Sequence, residues 1–412
     1  MRFIFQPPGI PPGGFFLVSC YKRGMPPPRP GLATVAVHAG TPQGANAPLT
    51  VPIVQSTTFR FESAAQVQEY SRGSSGLFMY SRDENPTVRA AEEAVARIEG
   101  AETAIVFGSG MGAMTTALMG LAGAGDEVIA ATALYGGTYK LLRDVLTRFG
   151  VRMRPVEPER LAAEVAARPA RVCVFESPTN PTLRVVDVAA VAAACRRSGT
   201  ISLMDSTFGP PALQRPLELG VDVVMHSATK YLNGHSDHLA GVLAGGRDRL
   251  EPLRLLSHKL GASLDPQVAY DLLRGLKTFP LRMERHCATA LRIARWLSEH
   301  RAVQRVWYPG LPSHPDHELA RRQMTGFGGM VTFTLGAKER AFRFWDRLRL
   351  VARAASLGGT ETLSSLPILF SHTGYSAEEL ARAGVDEGMV RLSVGLEDAD
   401  DLIADLAQAL DG

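Results

Sequence analysis

The sequence has few cysteines, and their spacing excludes several kinds of site. Its 412 residues include only Cys20, Cys173, Cys195 and Cys287. None of them forms a C-x-x-C pair, which argues against a zinc ribbon or a thioredoxin-like motif. Four cysteines in so long a chain also make no disulfide framework. The cysteine usage therefore favours a reducing, cytoplasmic location, and the sequence predicts no metal site.

The sequence also lacks a strong charge of one sign and a long apolar run. Its 44 Lys and Arg residues against 41 Asp and Glu residues give a formal net charge of +3. So small an excess argues against nucleic acid or an anionic membrane as a partner. No apolar run approaches the roughly 20 residues that span a bilayer. With 45% hydrophobic and 21% charged residues, the composition is that of a globular protein, and the length predicts two domains.

The first thirty residues differ from the rest. They contain three proline clusters and one short apolar patch, Phe15-Phe16-Leu17-Val18. A signal peptide needs a continuous apolar core, and prolines and glycines interrupt the core here. The stretch Leu17-Val18-Ser19-Cys20 resembles a lipoprotein cleavage box, but the helical core that precedes such a box is missing. Because proline-rich segments bury too little to become ordered, residues 1–30 are predicted to be a disordered tail. Met25 is a candidate start of the natural chain.

The rest of the chain divides into an arm and two patterned regions. Residues 31–83 are turn-rich and are predicted to form an extended arm with a short helix near residues 64–70. Over residues 84–277, short apolar strands alternate with helices, which predicts an α/β fold with a mostly parallel sheet covered on both faces. Residues 278–412 begin with a helix over 281–300 and are predicted to form a smaller C-terminal α+β domain.

A lysine and an acid each follow a predicted strand. Lys230, in Ser227-Ala228-Thr229-Lys230-Tyr231, comes after the strand 221–225, and Asp205 comes after the strand 201–204. Open α/β sheets build their sites at the carboxyl ends of such strands. The lysine alone could be solvated, bind phosphate or form a Schiff base, and the aspartate alone could cap a turn. Together they suit pyridoxal phosphate, because an aspartate holds the proton on the pyridine nitrogen and a lysine binds the aldehyde.

Three further segments fit this interpretation. The stretch Gly108-Ser109-Gly110-Met111-Gly112 leads from a strand into a helix, whose N–H groups favour a phosphate. Its third glycine does not lie where the G-x-G-x-x-G fingerprint of dinucleotide-binding proteins has it, so NAD is a poorer match. Tyr135 could stack on a ring and carry a proton, or be an ordinary core or surface residue. Arg391 lies inside an apolar strand and needs an anionic partner, either an internal acid or a substrate carboxylate.

These segments together resemble the pyridoxal-phosphate (PLP) enzymes of transsulfuration and methionine metabolism. That group includes cystathionine γ-synthase, cystathionine γ- and β-lyases, methionine γ-lyase and acyl-homoserine sulfhydrylase. The segments that carry the resemblance are Ser227-Ala228-Thr229-Lys230-Tyr231 and Arg391-Leu392-Ser393-Val394-Gly395-Leu396-Glu397, and the resemblance covers roughly residues 32–412. It implies a fold-type-I, aspartate-aminotransferase-like α/β fold, PLP as the cofactor and a small amino-acid substrate.

The resemblance also implies roles for individual residues. Lys230 would bind the cofactor and move protons, and Tyr135 would stack on the ring and assist. The cofactor-binding residues would be Tyr80, Arg82, Gly110, Met111, Tyr135, Asn180, Asp205, Ser227, Thr229 and Lys230. Ser356 and Arg391 would hold the substrate carboxylate. The motif Tyr80-Ser81-Arg82 would reach into a neighbouring subunit, so the implied assembly is a homotetramer, a dimer of dimers with shared active sites.

The sequence departs from the group at positions that bear on the substrate. Gly137 stands where methionine γ-lyases carry a cysteine, which disfavours methionine. Ala355 stands where cystathionine γ-lyases and γ-synthases usually carry a glutamate that meets the distal amino group of the substrate. The aromatic residue that enterobacterial-type β-lyases have near Ser356 is absent. Glu84 replaces a common glycine, and the sequence offers no functional reason for that change.

The sequence therefore predicts γ-elimination or γ-replacement on cystathionine or an O-acylhomoserine. Methionine γ-lyase, cystathionine β-lyase and acyl-homoserine sulfhydrylase activities are the alternatives. A more remote alternative is a regulator that binds PLP without turnover. The full set of Lys230, Tyr135, Asp205 and Arg391 argues against a regulator, because a protein that only binds the cofactor needs no mobile proton carrier.

Overall fold

The computed structural model describes residues 30–73 and 76–411. The predicted tail lies outside these residues apart from Pro30, and so do Cys20 and Met25. Within the described part, no helix is both long enough and apolar enough to cross a membrane.

The described residues form thirteen α-helices and twelve strands. The helices are α1 (Leu32–His38), α2 (Ala64–Ser71), α3 (Pro86–Glu99), α4 (Gly110–Leu121), α5 (Gly136–Lys140), α6 (Leu161–Ala167), α7 (Val188–Ser198), α8 (Arg247–Leu260), α9 (Pro266–Glu299), α10 (His317–Gln323), α11 (Lys338–Arg347), α12 (Ala377–Arg382) and α13 (Ala399–Asp411). The strands are β1 (Thr103–Phe107), β2 (Glu127–Ala131), β3 (Arg152–Val156), β4 (Val172–Glu176), β5 (Ile201–Asp205), β6 (Val223–His226), β7 (Gly241–Gly245), β8 (Arg305–Trp307), β9 (Met330–Thr334), β10 (Ala352–Arg353), β11 (Leu363–Ser365) and β12 (Met389–Ser393).

A large sheet holds the first seven strands in the order β1-β7-β6-β5-β4-β2-β3. Strand β7 runs antiparallel to β1 and β6, and the other pairs are parallel. Ile105 and Phe107 of β1 belong to one hydrophobic core, whereas Ala104 and Val106 belong to another. Because alternate residues of a strand face opposite sides, the sheet is covered on both faces. The predicted α/β fold with a mostly parallel sheet is confirmed.

A smaller sheet holds the last five strands in the order β10-β11-β12-β9-β8. Its core contains Phe333 of β9, Phe344 of α11 and Leu402 of α13, together with Ile293 of α9. The predicted smaller C-terminal α+β part is therefore present. This second sheet brings β12, which carries Arg391, towards the carboxyl edge of the large sheet.

Helix α9 is longer than the sequence pattern predicts. It spans Pro266–Glu299 with Pro280 in its interior, whereas the pattern predicts a helix only over 281–300. An internal proline removes a backbone donor and usually ends a helix, so the first half was missed. Strand β7 was missed as well, because the glycines at both of its ends weaken the strand signal.

Arg282 of α9 holds the segment that follows Lys230. Its guanidinium group is buried and donates hydrogen bonds to the carbonyl oxygens of Tyr231 (2.8 Å), Leu232 (3.2 Å) and Gly275 (2.8 Å). Burial lowers the pKa of Arg282 to about 10, so the group is still a cation at neutral pH. The long helix thus fixes the backbone immediately after Lys230.

We predict that Arg282→Met lowers the free energy of unfolding by about 2–5 kcal/mol, because it leaves the carbonyl groups of Tyr231 and Leu232 without their donor. The matched control is Arg285→Met on the same helix. Arg285 is half-exposed and pairs with Asp398, so its loss should cost at most about 1 kcal/mol. Denaturant unfolding followed by circular dichroism measures both, and equal effects of the two changes would contradict the assignment.

Candidate active site

A cavity of about 530 Å³ opens between the carboxyl edge of the large sheet and the smaller sheet. Ten of the residues that the sequence singled out line it: Gly110, Met111, Tyr135, Asn180, Asp205, Ser227, Thr229, Lys230, Ser356 and Arg391. They come from the ends of β2, β4, β5 and β6, the start of α4, the loop before β11, and β12. The fold thus brings together residues that are up to 281 positions apart in the chain, between Gly110 and Arg391.

Lys230 lies in a tight turn after β6 and points into the cavity. Its Nζ donates a hydrogen bond to Ser356 Oγ at 2.6 Å. Burial, with a smaller contribution from the positive charge of Arg391, lowers the pKa of Lys230 to about 8. Near neutral pH a sizeable fraction of this amine is therefore uncharged, which is the form that acts as a nucleophile or a base.

Ser356 links Lys230 to Arg391. While its hydroxyl accepts from Lys230, its carbonyl oxygen accepts from Arg391 Nη2 at 3.2 Å. Its φ of 88° is in the left-handed region, which costs energy for a residue with a Cβ and often marks a functional site. Arg391 Nη1 donates to Asn180 Oδ1 at 2.9 Å, so its neutral partners leave the cation able to bind a carboxylate.

Two acidic side chains reach the cavity from neighbouring strands. Asp205, at the end of β5, is buried, and its Oδ1 accepts the N–H of Thr207 at 2.9 Å. Burial raises the pKa of Asp205. Glu176 lies beside it in register at the end of β4. A buried carboxylate facing a cavity favours a cationic or N–H-bearing ligand group.

The start of α4 forms a cradle opposite Lys230. Ser109 caps the helix by accepting the N–H of Gly112, and Gly110 and Met111 line the cavity. A Cβ atom at Gly110 would lie 2.9 Å from the Cβ of Ser227, so only glycine allows the two segments to come this close. Backbone N–H groups at a helix start and the nearby hydroxyls of Ser227 and Thr229 together form a surface suited to a phosphate.

Tyr80 and Arg82 do not line the cavity of their own chain as the structure describes it. Tyr80 is exposed, and the Arg82 guanidinium lies 5.0 Å from the centroid of its ring and pairs with Asp83. The neighbouring Glu84, which the sequence left unexplained, pairs with Arg89 at 2.6 Å. That ion pair gives the glutamate a structural role.

The sequence analysis missed Glu176. It lines the cavity and accepts hydrogen bonds from the backbone N–H groups of Tyr135 and Asn180. Burial and the nearby charge of Asp205 raise the pKa of Glu176 to about 8. The signal was available, because Glu176 is an acid at the end of a buried strand, the same pattern that singled out Asp205.

The comparisons with known proteins agree with this geometry. The family profile described as Cys/Met metabolism PLP-dependent enzyme matches residues 33–411. The chain belongs to this family. It is 45% identical to the L-methionine gamma-lyase of Pseudomonas putida over 92% of this chain and 97% of that protein, and 42% identical to the cystathionine gamma-lyase of Dictyostelium discoideum over 92% and 97%. It also resembles the structure of a cystathionine gamma synthase from Xanthomonas oryzae pv. oryzae in complex with cystathionine, with a TM-score of 0.87, 36% identity, and coverage of 92% of this chain and 98% of that one.

The predicted PLP family, its cofactor and its enzymatic nature are thus confirmed. The residues present also fit the cofactor. The start of α4 and the hydroxyl groups of Ser227 and Thr229 line the cavity together, and such a set of donors suits a phosphate. Asp205 presents a buried carboxylate suited to a pyridine nitrogen, and Lys230 presents an amine suited to the aldehyde. The role of each residue remains a prediction.

We predict that the cofactor-free protein binds PLP faster as the pH rises through about 8. The pKa of Lys230 is about 8, and lowering a lysine pKa moves its uncharged form to lower pH, where it can attack the aldehyde. Stopped-flow absorbance of cofactor binding between pH 6 and 10 measures the midpoint. A midpoint close to 10.4, the value of a free lysine, would contradict the prediction.

Proposed function

We propose that this PLP-dependent enzyme catalyses γ-elimination or γ-replacement on a sulfur amino acid or an O-acylhomoserine. The observation that carries the proposal is the convergence of Lys230, Ser356 and Arg391 in one cavity, where a partly neutral amine lies beside a buried cation. A substrate whose α-carboxylate binds Arg391 would have its α-carbon held near Lys230 Nζ. The two alternatives that the sequence left open for Lys230 are a solvated side chain and a phosphate-binding cation. Neither of them needs Ser356 and Arg391 beside the amine.

In this proposal, different residues of the chain bind the substrate carboxylate, move protons and cover the cofactor ring. The bound cofactor supplies an electron sink that stabilises negative charge at the substrate carbons. Arg391 and Ser356 bind and orient the carboxylate, as a bidentate cation does well. Lys230 Nζ removes the Cα proton and then moves protons between substrate carbons, which γ-chemistry needs and β-elimination does not. Tyr135, which lines the cavity and is half-exposed, would cover the ring and assist proton transfer.

The apolar part of the cavity lining favours a substrate with a small uncharged γ-substituent. Ala355, Leu239 and Phe370 belong to it, and the acidic and basic side chains that line the cavity in the described part of the chain are Lys230, Arg391, Asp205 and Glu176. All four are assigned above to cofactor, carboxylate or backbone. A distal ammonium group, as in cystathionine, would meet none of the acids. Methionine and O-acetylhomoserine carry no such group.

One observation favours cystathionine as the second candidate substrate. A Cβ atom at Gly137 would lie 2.5 Å from Tyr135 Cε1 and 3.0 Å from Met111 Sδ. The cysteine that methionine γ-lyases carry there therefore cannot be added without moving Tyr135. The predicted cystathionine γ-lyase or γ-synthase activity is consistent with this difference, and a substrate comparison decides between the two.

We predict 2-oxobutyrate as the keto acid from any substrate that undergoes γ-elimination, and a higher kcat/KM for methionine than for cystathionine. Methionine would also release methanethiol and ammonia, and cystathionine would release cysteine and ammonia. Lys230→Ala should abolish turnover. Pyruvate with homocysteine from cystathionine would indicate β-elimination and refute the γ-assignment.

A substitution at Ala355 tests whether the missing acidic side chain in this lining disfavours cystathionine. Ala355→Glu should raise the kcat/KM ratio of cystathionine to methionine by about ten- to hundredfold, because a charged hydrogen bond to the distal ammonium contributes about 1.5–3 kcal/mol. Ala355→Gln is the matched control, with the same size and no charge. An equal change in both variants would contradict the electrostatic explanation.

We also propose that Arg82 and Tyr80 complete the phosphate site of a neighbouring subunit in a homotetramer. Their exposed position, outside the cavity of their own chain, supports this. Arg82→Ala should weaken PLP binding by about ten- to hundredfold, because one charge-assisted contact contributes about 1.5–3 kcal/mol. Spectral titration with PLP measures the loss.

Mixing subunits tests whether the sites are shared. Oligomers formed by co-refolding Arg82→Ala with Lys230→Ala subunits contain some sites that have both native residues, if the residues come from different chains. Activity well above that of either variant alone is the expected result. No recovery in verified mixed oligomers, or tight PLP binding by a monomer, would refute the proposal.

A further inference from the structure

Glu176 uses one carboxyl group to hold two separate loops of the site. Its Oε2 accepts the N–H of Tyr135 at 2.8 Å, and its Oε1 accepts the N–H of Asn180 at 2.7 Å. The side chain is 6% exposed, so neither bond competes with bulk water. Tyr135 follows β2 and Asn180 follows β4, and the two residues are otherwise separated by 45 positions of chain.

Each loop depends on this carboxyl group for a contact that its own residues do not supply. Tyr135 stands at the start of α5, and its own side chain makes no capping hydrogen bond. Asn180 presents Oδ1 to Arg391 at 2.9 Å, so the position of its backbone, together with the Ser356 carbonyl oxygen, sets where that cation points. A shift of either loop therefore moves a different part of the site.

Glu176 and Asp205 are neighbours with different tasks. They are paired in register on β4 and β5, and both side chains line the cavity. Both oxygens of Glu176 are taken up by backbone donors, whereas the hydrogen bonds to Asp205 come from its own loop, through Thr207. Asp205 thus keeps more capacity for a ligand, whereas each carboxyl oxygen of Glu176 already accepts a backbone N–H of the protein.

We propose that Glu176 is a positioning residue that couples the Tyr135 loop to the Asn180–Arg391 pair, so that the ring-facing and carboxylate-binding sides of the site are set by one group. This rests on the roles proposed above for Tyr135 and Arg391. The coupling is geometric: the span of one glutamate side chain fixes the separation of the two backbone N–H groups. Both the identity of the carboxyl group and its length matter.

The test uses Glu176→Gln and two readouts on the PLP-loaded enzyme that need no turnover. The glutamine has the same length, but its NH₂ faces one of the two N–H donors, so one loop loses its anchor. The visible circular dichroism of bound PLP reports the Tyr135 side. The dissociation constant of L-norleucine, which resembles methionine but has no leaving group at Cγ, reports the Arg391 side. We expect a clear change in the circular dichroism, in the norleucine dissociation constant, or in both. If the Asn180 loop is released, norleucine should bind about tenfold more weakly (about 1.4 kcal/mol).

Glu176→Asp separates geometry from charge and serves if the glutamine variant does not fold. It keeps the carboxyl group but is one methylene too short to reach both donors, so we expect the same readouts to change. The matched control is Glu127→Gln at the opposite end of β2, where the carboxylate pairs with Arg154 and Arg168 away from the cavity. It should change thermal stability but neither readout.

Two results would overturn the proposal. One is that the circular dichroism and norleucine affinity of both Glu176 variants equal those of the wild type. The other is that Glu176→Asp restores wild-type values, which would make charge and not reach the relevant property. Because neither readout requires a reaction, absence of γ-elimination would refute the proposed function and leave this test standing.

Discussion

The site depends on a run of hydrogen bonds that crosses from one sheet to the other. It passes from Lys230 through Ser356 to Arg391 and on to Asn180. Neither sheet alone supplies all of the hydrogen-bond partners, because Arg391 belongs to the smaller sheet and Asn180 to the edge of the larger one. Burying a cation without partners is costly, so the two sheets must meet in this orientation. The cavity is the space that this requirement leaves.

Burial is also what prepares the groups in the cavity for chemistry. It lowers the pKa of Lys230 to about 8 and raises that of Asp205, since a low-dielectric surrounding disfavours both charges. A pyridine nitrogen beside Asp205 would meet this need by providing a partner for the carboxylate. A protein that arranged the same residues on its surface would leave the lysine protonated and its nucleophilic power low.

In the proposed function, substrate choice depends on a few positions around this shared framework. Ala355 and Gly137 lie on the cavity wall and next to Tyr135, respectively, and they point to different members of the family. The framework does not distinguish them, because the carboxylate-binding residues and the proton carrier proposed above would serve every substrate of the group. In this proposal, the part of the cavity lining that meets the γ-substituent sets the substrate. The substrate measurements proposed above therefore test that lining and not the shared framework.

The sequence alone determined the parallel-strand pattern, the strand-end residues Lys230 and Asp205, and the family to which the chain belongs. These follow from local signals, namely apolar runs, glycine-rich turns and short motifs. The first half of α9 was missed because Pro280 interrupts its pattern, and Glu176 was missed because its partners are backbone N–H groups of loops distant in sequence. Only the tertiary structure decided that Ser356 faces Lys230 and that Arg391 meets Asn180. Such contacts arise where chain segments over a hundred residues apart pack together, and no local signal records which side chain a buried charge will find.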